Sequence, residues 1–279
     1  MIRIIVDSSA DFTKEELLEK NIELVPLTIN LNEKTYLDGV TISRDELYEW
    51  LIADSNHFPK TSQPSPQDFL SIFNEAAENG DEVICILLSS SLSGTCQSAF
   101  LAKNMSEYDN IHIVDSLTAT HMIRILALHA DKMRKNGSTA SQIVIALEEL
   151  KGKVKVFAAL DTLEYLQRGG RLSKAATAVG TLANLKPVIT VSEEGKVDVV
   201  QKCMGRNKTL SFLMSKISEL NIDTSFPLYS VYTYGTENTE TFEKKLTDAG
   251  YRIAERVQVG ATIGCHVGPG VCGFIFVEK

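Results

Sequence analysis

The sequence is poor in residues that mark several protein classes. Its five cysteines are odd in number and include no Cys-x-x-Cys pair, so we expect free and mostly buried thiols in a reducing compartment. The five histidines also lack metal-ligand spacing. His121 and His129 fall on one expected helix, but two turns apart, too far along the axis to share an ion. We therefore expect no metal and no cofactor.

Long apolar runs and excess positive charge are missing too. No segment approaches the roughly 20 apolar residues needed to cross a bilayer. The chain opens directly on the strand-like Met1-Ile-Arg-Ile-Ile-Val6, without a signal-peptide pattern. We expect a cytoplasmic protein without stable membrane insertion. The net charge of −8 argues against nucleic acid as a main partner, because phosphate backbones bind basic surfaces.

The apolar content suffices for two sizeable cores, since 44% of the 279 residues are hydrophobic. The first half alternates strand-like and helix-like segments, as in a parallel sheet covered on both faces. Capping boxes at Thr13/Glu16 and Ser43/Glu46 support two helix starts. The predicted strands are 2–6, 22–30, 82–88 and 111–114, and the predicted helices are 13–20, 43–54, 66–79, 95–106 and 118–136.

The second half is less regular. After a helix at 138–151, strands are predicted near 154–159, 186–191, 196–203, 228–233, 250–257 and 271–278, with helices near 160–167, 173–183, 206–220 and 238–248. The turn Ser192-Glu-Glu-Gly195 joins two strands as a hairpin. The sequence thus predicts an α/β protein of two domains: an N-terminal three-layer domain over 1–152, with a parallel sheet flanked by helices, and a C-terminal α/β domain over 153–279 with a mixed or antiparallel sheet.

A hydroxyl-rich loop, Ser89-Ser-Ser-Leu-Ser-Gly-Thr-Cys-Gln-Ser98, separates the apolar run 83–88 from the next predicted helix. A strand-to-helix crossover of this kind directs N–H and O–H groups at one point, which suits an anion. No lysine follows the glycine, as it would in a phosphate-binding P-loop, so a carboxylate fits as well as a phosphate. The alternative is that these hydroxyls only cap a helix.

Two further segments offer polar groups. In the proline-rich His57-Phe-Pro-Lys-Thr-Ser-Gln-Pro-Ser-Pro66, Ser65 is expected to cap a helix, which leaves Thr61 and Ser62 for recognition. In Ile263-Gly-Cys-His-Val-Gly-Pro-Gly270, His266 lies among glycines that we expect to leave its ring uncovered, with a pKa near the reference value of about 6.5.

Polar residues also follow several strands of the predicted parallel sheet. Ligands in such sheets lie beyond the carboxyl ends of the strands. Four residues are therefore expected to border one crevice: Asp7, Ser8, Ser93 and Ser116.

These segments together resemble the DegV family, the fatty-acid-binding subunits of bacterial fatty acid kinase. The resemblance covers 2–278 as a single module, and the number and order of its motifs make it specific. The motifs are Ile4-Ile-Val-Asp-Ser-Ser9, Thr61-Ser-Gln-Pro-Ser65, Ser91-Leu-Ser-Gly-Thr95, Val114-Asp-Ser116, Leu163-Glu-Tyr-Leu-Gln-Arg-Gly-Gly-Arg171, Asn184-Leu-Lys-Pro187 and His266-Val-Gly-Pro-Gly270.

The resemblance implies that Thr61, Ser93 and His266 hold the carboxylate of a long-chain fatty acid. A separate kinase subunit would phosphorylate that carboxylate to an acyl phosphate, so the chain would have no catalysis of its own. Further residues are expected to line or rim the pocket: Ser62, Gly94, Thr95, Ser116, Arg168, Arg171 and Gly268. The alternative for the two arginines is a solvated helix end.

Two other features bear on this resemblance. Many family members carry an arginine where this chain has Met204, which leaves kinase engagement open, although Lys202 and Arg206 are similar in charge. The stretch Ala175-Ala-Thr-Ala-Val-Gly-Thr-Leu-Ala183 is rich in small residues, which indicates either tight helix packing or a slot for an acyl chain.

The sequence supports other functions less well. A serine hydrolase would need Gly-x-Ser-x-Gly around Ser93, whereas Ser91-Leu-Ser-Gly-Thr95 lacks the first glycine, and only proximity could make His266 its base. A Rossmann oxidoreductase would need Gly-x-Gly-x-x-Gly where the chain has Asp7-Ser-Ser-Ala-Asp-Phe12. The stronger alternative is a fatty-acid carrier or sensor without a kinase partner.

Overall fold

The computed structural model describes residues 1–53, 58–172 and 184–279. The strands are β1 (Ile2–Asp7), β2 (Ile22–Val25), β3 (Thr28–Leu31), β4 (Lys34–Leu37), β5 (Lys60–Ser62), β6 (Glu82–Leu87), β7 (Ile111–Asp115), β8 (Val154–Ala159), β9 (Leu185–Val191), β10 (Val197–Met204), β11 (Tyr229–Tyr232), β12 (Glu255–Gln258) and β13 (Cys272–Val277). The helices are α1 (Lys14–Lys20), α2 (Arg44–Ala53), α3 (Pro66–Asn79), α4 (Thr95–Ser106), α5 (His121–Lys135), α6 (Ala140–Lys151), α7 (Glu164–Arg168), α8 (Arg206–Ser218), α9 (Glu237–Asp248) and α10 (Ala261–Val267).

The first half of the chain forms a four-stranded parallel sheet in the order β2-β1-β6-β7. Its central strands are buried on both faces, which explains their continuous apolar runs. Phe69 of α3 and Ala99 of α4 pack on one face, while Leu126 of α5 and Ile143 of α6 pack on the other. The prediction of a three-layer arrangement around a parallel sheet is confirmed.

The predicted strand 22–30 is wrong as a single element. Pro26 lies between β2 and β3, has no N–H to donate to a ladder, and ends the parallel pairing with β1. The chain then enters an antiparallel three-stranded sheet in the order β4-β3-β5. Within it, Thr61 of β5 pairs with Ile29 of β3, which fixes the position of the Thr61 side chain.

The second half forms a six-stranded mixed sheet in the order β10-β9-β8-β13-β11-β12. The β9–β10 hairpin is antiparallel, as predicted, and β11 and β12 are parallel. One face packs against Leu213 of α8 and Phe242 of α9. The other face, with Val156 and Ile275, joins the apolar core of the parallel sheet. The predicted α/β fold class is confirmed, whereas the domain boundary at 152/153 stays a prediction.

Two elements of the second half differ from the prediction. Of the strand expected at 250–257, only the end forms, as β12. His266 lies on helix α10, which the sequence does not predict. Glycine weakens helix propensity, but a Cβ atom at Gly264 would overlap the Tyr48 ring of α2, so close packing requires the glycine. The helix predicted at 173–183, and the small-residue stretch within it, lie outside the described residues.

The five cysteines are buried and free, as predicted. Within the residues that the structure describes, no helix combines the length and the apolar character that crossing a membrane requires. The same ranges contain no group of three or more His, Cys, Asp or Glu side chains arranged to hold a metal ion.

Candidate functional site

A cavity of about 350 Å³ lies between the parallel and the mixed sheet. Its walls are mostly apolar, with Val156, Ile189, Val231 and Ile275 from the mixed sheet and Leu88 and Met122 from the first half. The volume falls within the range of pockets that hold small molecules. Among the residues that the structure describes, eight polar or charged ones also line it: Thr61, Ser62, Gln63, Ser93, Thr120, Arg171, Thr262 and His266.

Thr61 and His266 are in direct contact in the cavity wall. Thr61 Oγ1 lies 2.8 Å from His266 Nε2. Strand β5 presents Thr61 from one side and α10 presents His266 from the other. The fold therefore brings together two of the three residues predicted to bind a carboxylate, and the third, Ser93, lines the same cavity.

The His266 ring is buried, and the expectation that neighbouring glycines leave it uncovered is wrong. Only 9% of the residue is exposed, because Gly169 at the end of α7 packs against the ring; a Cβ atom there would overlap Nδ1. Burial, together with the positive charge of Arg171, lowers the pKa of His266 from 6.5 to about 4. The ring is therefore neutral at pH 7, and the predicted pKa near the reference value is also wrong.

Helix α10 is held in place by groups from the first half of the chain. Tyr48 donates its hydroxyl hydrogen to the Val259 carbonyl over 2.8 Å, and Arg44 Nη1 donates to the Gln258 carbonyl over 3.0 Å. The Thr262 N–H donates to Asp38 Oδ2 over 3.3 Å at the first turn of the helix. These contacts fix the helix that carries His266.

Ser93 lies in the loop between β6 and α4, where its side chain is half-buried. Its Oγ is 2.8 Å from Thr95 Oγ1, so Thr95 orients the Ser93 hydroxyl without lining the cavity itself. Gly94 lets the Gln63 side chain lie directly on the loop backbone, where Gln63 Nε2 donates to Ser98 Oγ over 2.9 Å. The loop is therefore tied to the residues that follow Thr61.

The two predicted rim arginines have different positions. Arg171 lines the cavity and donates from Nε to the Leu92 carbonyl over 3.1 Å. Arg168 does not line the cavity; it pairs with Glu164 at 2.8 Å and stacks on the Phe58 ring, 4.0 Å from the centroid. Arg171 thus places positive charge in the cavity wall, and Arg168 lies on the surface beside it.

Three of the residues expected at one crevice have structural roles instead. Asp7 Oδ2 accepts from the Leu88 N–H at 2.6 Å, and Ser8 Oγ accepts from the Leu27 N–H at 3.0 Å. Ser116 is fully buried, and its Oγ accepts from the Thr118 N–H at 3.2 Å. Parallel strands do end here, but the polar groups at these ends bond to neighbouring backbone, and only Ser93 of the four lines the cavity.

Gly268 also lies outside the cavity wall, where it gives room to the Tyr165 ring. Three cavity-lining polar residues were not predicted: Gln63, Thr120 and Thr262. Gln63 directly follows Thr61 and Ser62, a signal the sequence contained. Thr262 lies one helical turn before His266, which only the undetected α10 would have indicated.

Comparison with known proteins accounts for the whole chain. The family model with the description "Uncharacterised protein, DegV family" matches residues 1–279. The chain belongs to the DegV family. A DegV domain-containing protein of Caldanaerobacter subterraneus subsp. tengcongensis is 33% identical over 280 residues, covering 100% of this chain and 99% of that protein. The family resemblance deduced from the motifs is confirmed.

Solved DegV structures share the fold from end to end. A DegV family protein from Thermus thermophilus, reported for its fatty acid binding, is 30% identical with a TM-score of 0.88, covering 100% of this chain and 99% of its own. A stearic acid-binding protein from Eubacterium ventriosum is 29% identical with a TM-score of 0.89, at the same coverage. This DegV protein therefore shares its fold with relatives that are reported to bind fatty acids.

Proposed function

We propose that this DegV protein binds one long-chain fatty acid, with the acyl chain in the cavity and the carboxylate at Thr61, Ser93 and His266. The observation that carries the proposal is the Thr61–His266 hydrogen bond in the wall of a mostly apolar cavity. The exposed residues Ser62 and Gln63 line the same region, so the polar groups lie where the cavity meets the surface.

The apolar walls supply the affinity. Removing a sixteen-carbon chain from water gains on the order of 10 kcal/mol at about 0.8 kcal/mol per methylene, before the cost of association. The carboxylate loses hydration at the same time and must be given hydrogen-bond donors. A ligand with a long apolar chain and one anionic end matches both requirements.

The hydroxyls and the neutral ring form a suitable donor set. When His266 Nε2–H donates to Thr61 Oγ1, the Thr61 hydroxyl hydrogen is free to donate to the ligand. Ser93 supplies a second hydroxyl, and Arg171 contributes positive charge from the cavity wall. Hydrogen bonds to an ionised carboxylate are the strong ones, worth about 1.5–3 kcal/mol each.

We further propose that the protein has no catalysis of its own and presents the carboxylate to a separate fatty acid kinase subunit, which converts it to an acyl phosphate. A serine hydrolase would need a base on Ser93, but Ser93 Oγ contacts Thr95 while His266 Nε2 contacts Thr61. The five buried, free thiols suit the reducing cytoplasm. The two sheets would form two domains, 1–152 and 153–279, that enclose the ligand between them.

Lipid analysis tests the binding function. Protein expressed in bacteria should contain one fatty acid per chain by native mass spectrometry, and delipidated protein should rebind a long-chain acid more tightly than the alcohol of equal length. Folded protein that carries and rebinds no fatty acid would refute the proposal. Turnover of a nitrophenyl acyl ester that Ser93→Ala abolishes would replace it with a hydrolase.

Reconstitution tests the kinase partner. A fatty acid kinase catalytic subunit with ATP should form acyl phosphate only when the loaded DegV protein is added. Met204 is 50% exposed on edge strand β10, and the family resemblance implies an arginine at this position in many members, so Met204→Arg serves as the companion variant. Binding of the acid without phosphorylation in either protein would indicate a carrier or sensor instead.

A further inference from the structure

Ser89 is the centre of the hydrogen bonds that shape the Ser93 loop. It is fully buried and is the second residue after the end of β6. Its carbonyl accepts from the Leu92 N–H at 2.9 Å and from the Ser93 N–H at 3.0 Å. Its own N–H donates to the Thr118 carbonyl over 2.9 Å, which ties the loop to the segment before α5.

The Ser89 side chain connects this loop to the mixed sheet. Ser89 Oγ donates to the Gly195 carbonyl over 2.8 Å and accepts from the Ser91 N–H at 3.2 Å. Gly195 belongs to the turn between β9 and β10 and has a φ of +75°. A Cβ atom at Gly195 would overlap Ser89 Oγ, so this close approach requires glycine.

Ser89 is fully buried and does not belong to the described cavity lining. We propose that Ser89, held by the Gly195 carbonyl, is a positioning residue that fixes Ser93 for carboxylate binding; this inference rests on the proposed fatty-acid site. The mixed sheet then has two roles: its strands form part of the cavity wall, and its β9–β10 turn, through Gly195 and Ser89, positions Ser93 in the wall contributed by the first half of the chain.

The chain offers a matched control. Ser91 contacts the same turn, since its Oγ donates to the Glu194 carbonyl over 2.7 Å, but its side chain is exposed and makes no hydrogen bond to Ser93. Ser91→Ala therefore removes a hydroxyl from the same interface without disturbing the bonds that hold Ser93.

The test is a double-mutant cycle on delipidated full-length protein. Palmitic acid and hexadecanol are titrated into wild type, Ser89→Ala, Ser91→Ala, Ser93→Ala and Ser89→Ala/Ser93→Ala. We expect Ser89→Ala to weaken acid binding about tenfold, the scale of one charge-assisted hydrogen bond, with alcohol binding and Ser91→Ala unchanged. In the Ser93→Ala background, Ser89→Ala should cause no further loss, because it acts through Ser93.

Each other outcome is decisive. Equal loss in both backgrounds, or equal loss for acid and alcohol, would show a general packing role and overturn the positioning role alone. If Ser89→Ala binds the acid at the wild-type level while Ser93→Ala binds it more weakly, the positioning role is also overturned, because Ser89 then has no effect on the acid. Wild type that binds no acid would overturn the proposed function as well. If Ser89→Ala does not fold, Ser89→Cys, which keeps the shape of the side chain but forms weaker hydrogen bonds, must show the same acid-specific loss.

Discussion

Thr61 Oγ1 and His266 Nε2 lie 2.8 Å apart although the two residues are 205 positions apart in the chain. The other ring nitrogen, Nδ1, is buried against Gly169 and has no hydrogen-bond partner among the described residues. The ring is thus held by a hydrogen bond on one side and by backbone on the other. These two contacts fix the orientation of the ring and, through it, the direction of the Thr61 hydroxyl.

Thr61→Val keeps the size of the side chain and removes its hydroxyl. We expect acid binding to weaken about tenfold or more, because the carboxylate loses one donor and His266 loses its partner. Binding of the alcohol of equal length should change much less. Thr35→Val is the control, since Thr35 lies exposed on β4 of the same small sheet and bonds only to Asn30 in the described structure. Equal acid affinity of wild type and Thr61→Val, measured by titration, would place the carboxylate elsewhere.

Gly169→Ala tests the orientation of the His266 ring. The Gly169 backbone is right-handed helical, so alanine costs nothing in conformation, but its Cβ would displace the ring. We expect weaker acid binding. Gly152 also caps a helix in the same conformation and has open space around it, so Gly152→Ala should leave binding unchanged and raise stability by about 0.4–1 kcal/mol. Similar binding by both variants in a titration would show that the ring position does not matter.

The buried His266 ring should make lipid-free protein less stable in acid. Its pKa is about 4 in the folded state against 6.5 in the unfolded chain, so the unfolded chain binds the proton first as the pH falls. The stabilisation from the neutral ring is fully present above pH 6.5. It is lost between pH 6.5 and 4, where the free energy of unfolding falls by up to about 3 kcal/mol.

His266→Asn removes this titration, so its free energy of unfolding should fall less than that of wild type across this window. Urea unfolding at pH 7, 5.5 and 4.5 measures the difference. His121, with a pKa lowered to about 3 by burial, is present in both proteins and cancels in the comparison. Parallel pH profiles for the two proteins would contradict the assignment.

Val156→Phe tests the acyl cavity. Val156 projects from β8 into a volume of only about 350 Å³, and a larger ring would occupy part of it. We expect the affinity for long acids to fall more than the affinity for short ones, with a stability cost of about 1–3 kcal/mol from overpacking. Titration with acids of eight and sixteen carbons compares the two. An equal loss for both lengths would contradict the prediction, because it would show that Val156→Phe does not act by shortening the space for the acyl chain.

Features that depend only on residues close in sequence were predicted correctly. Both capping boxes form, with the Thr13 and Ser43 hydroxyls accepting from Glu16 and Glu46 N–H groups. The Ser65 cap and the β9–β10 hairpin also form as predicted. Each of these features is settled within a few residues of chain, so no distant partner was needed to infer it.

Features that depend on distant partners could not be derived in the same way. The burial of His266 requires Gly169, and the glycine in α10 is explained only by Tyr48 of another helix. Ser116 was a reasonable candidate from its strand end, but the turn at Thr118 occupies its hydroxyl. The family resemblance indicated Thr61, Ser93 and His266 as one site, but the contacts between these residues could be described only from the fold.

Strand β13, formed by the last residues of the mixed sheet, pairs with β8 on one side and β11 on the other. Without β13, the ladders β8-β9-β10 and β11-β12 would share no hydrogen bonds, so this single strand makes the mixed sheet continuous. Ile275 of the same strand also forms part of the cavity wall. A substitution that displaced β13 would therefore divide the sheet and open the cavity in one event.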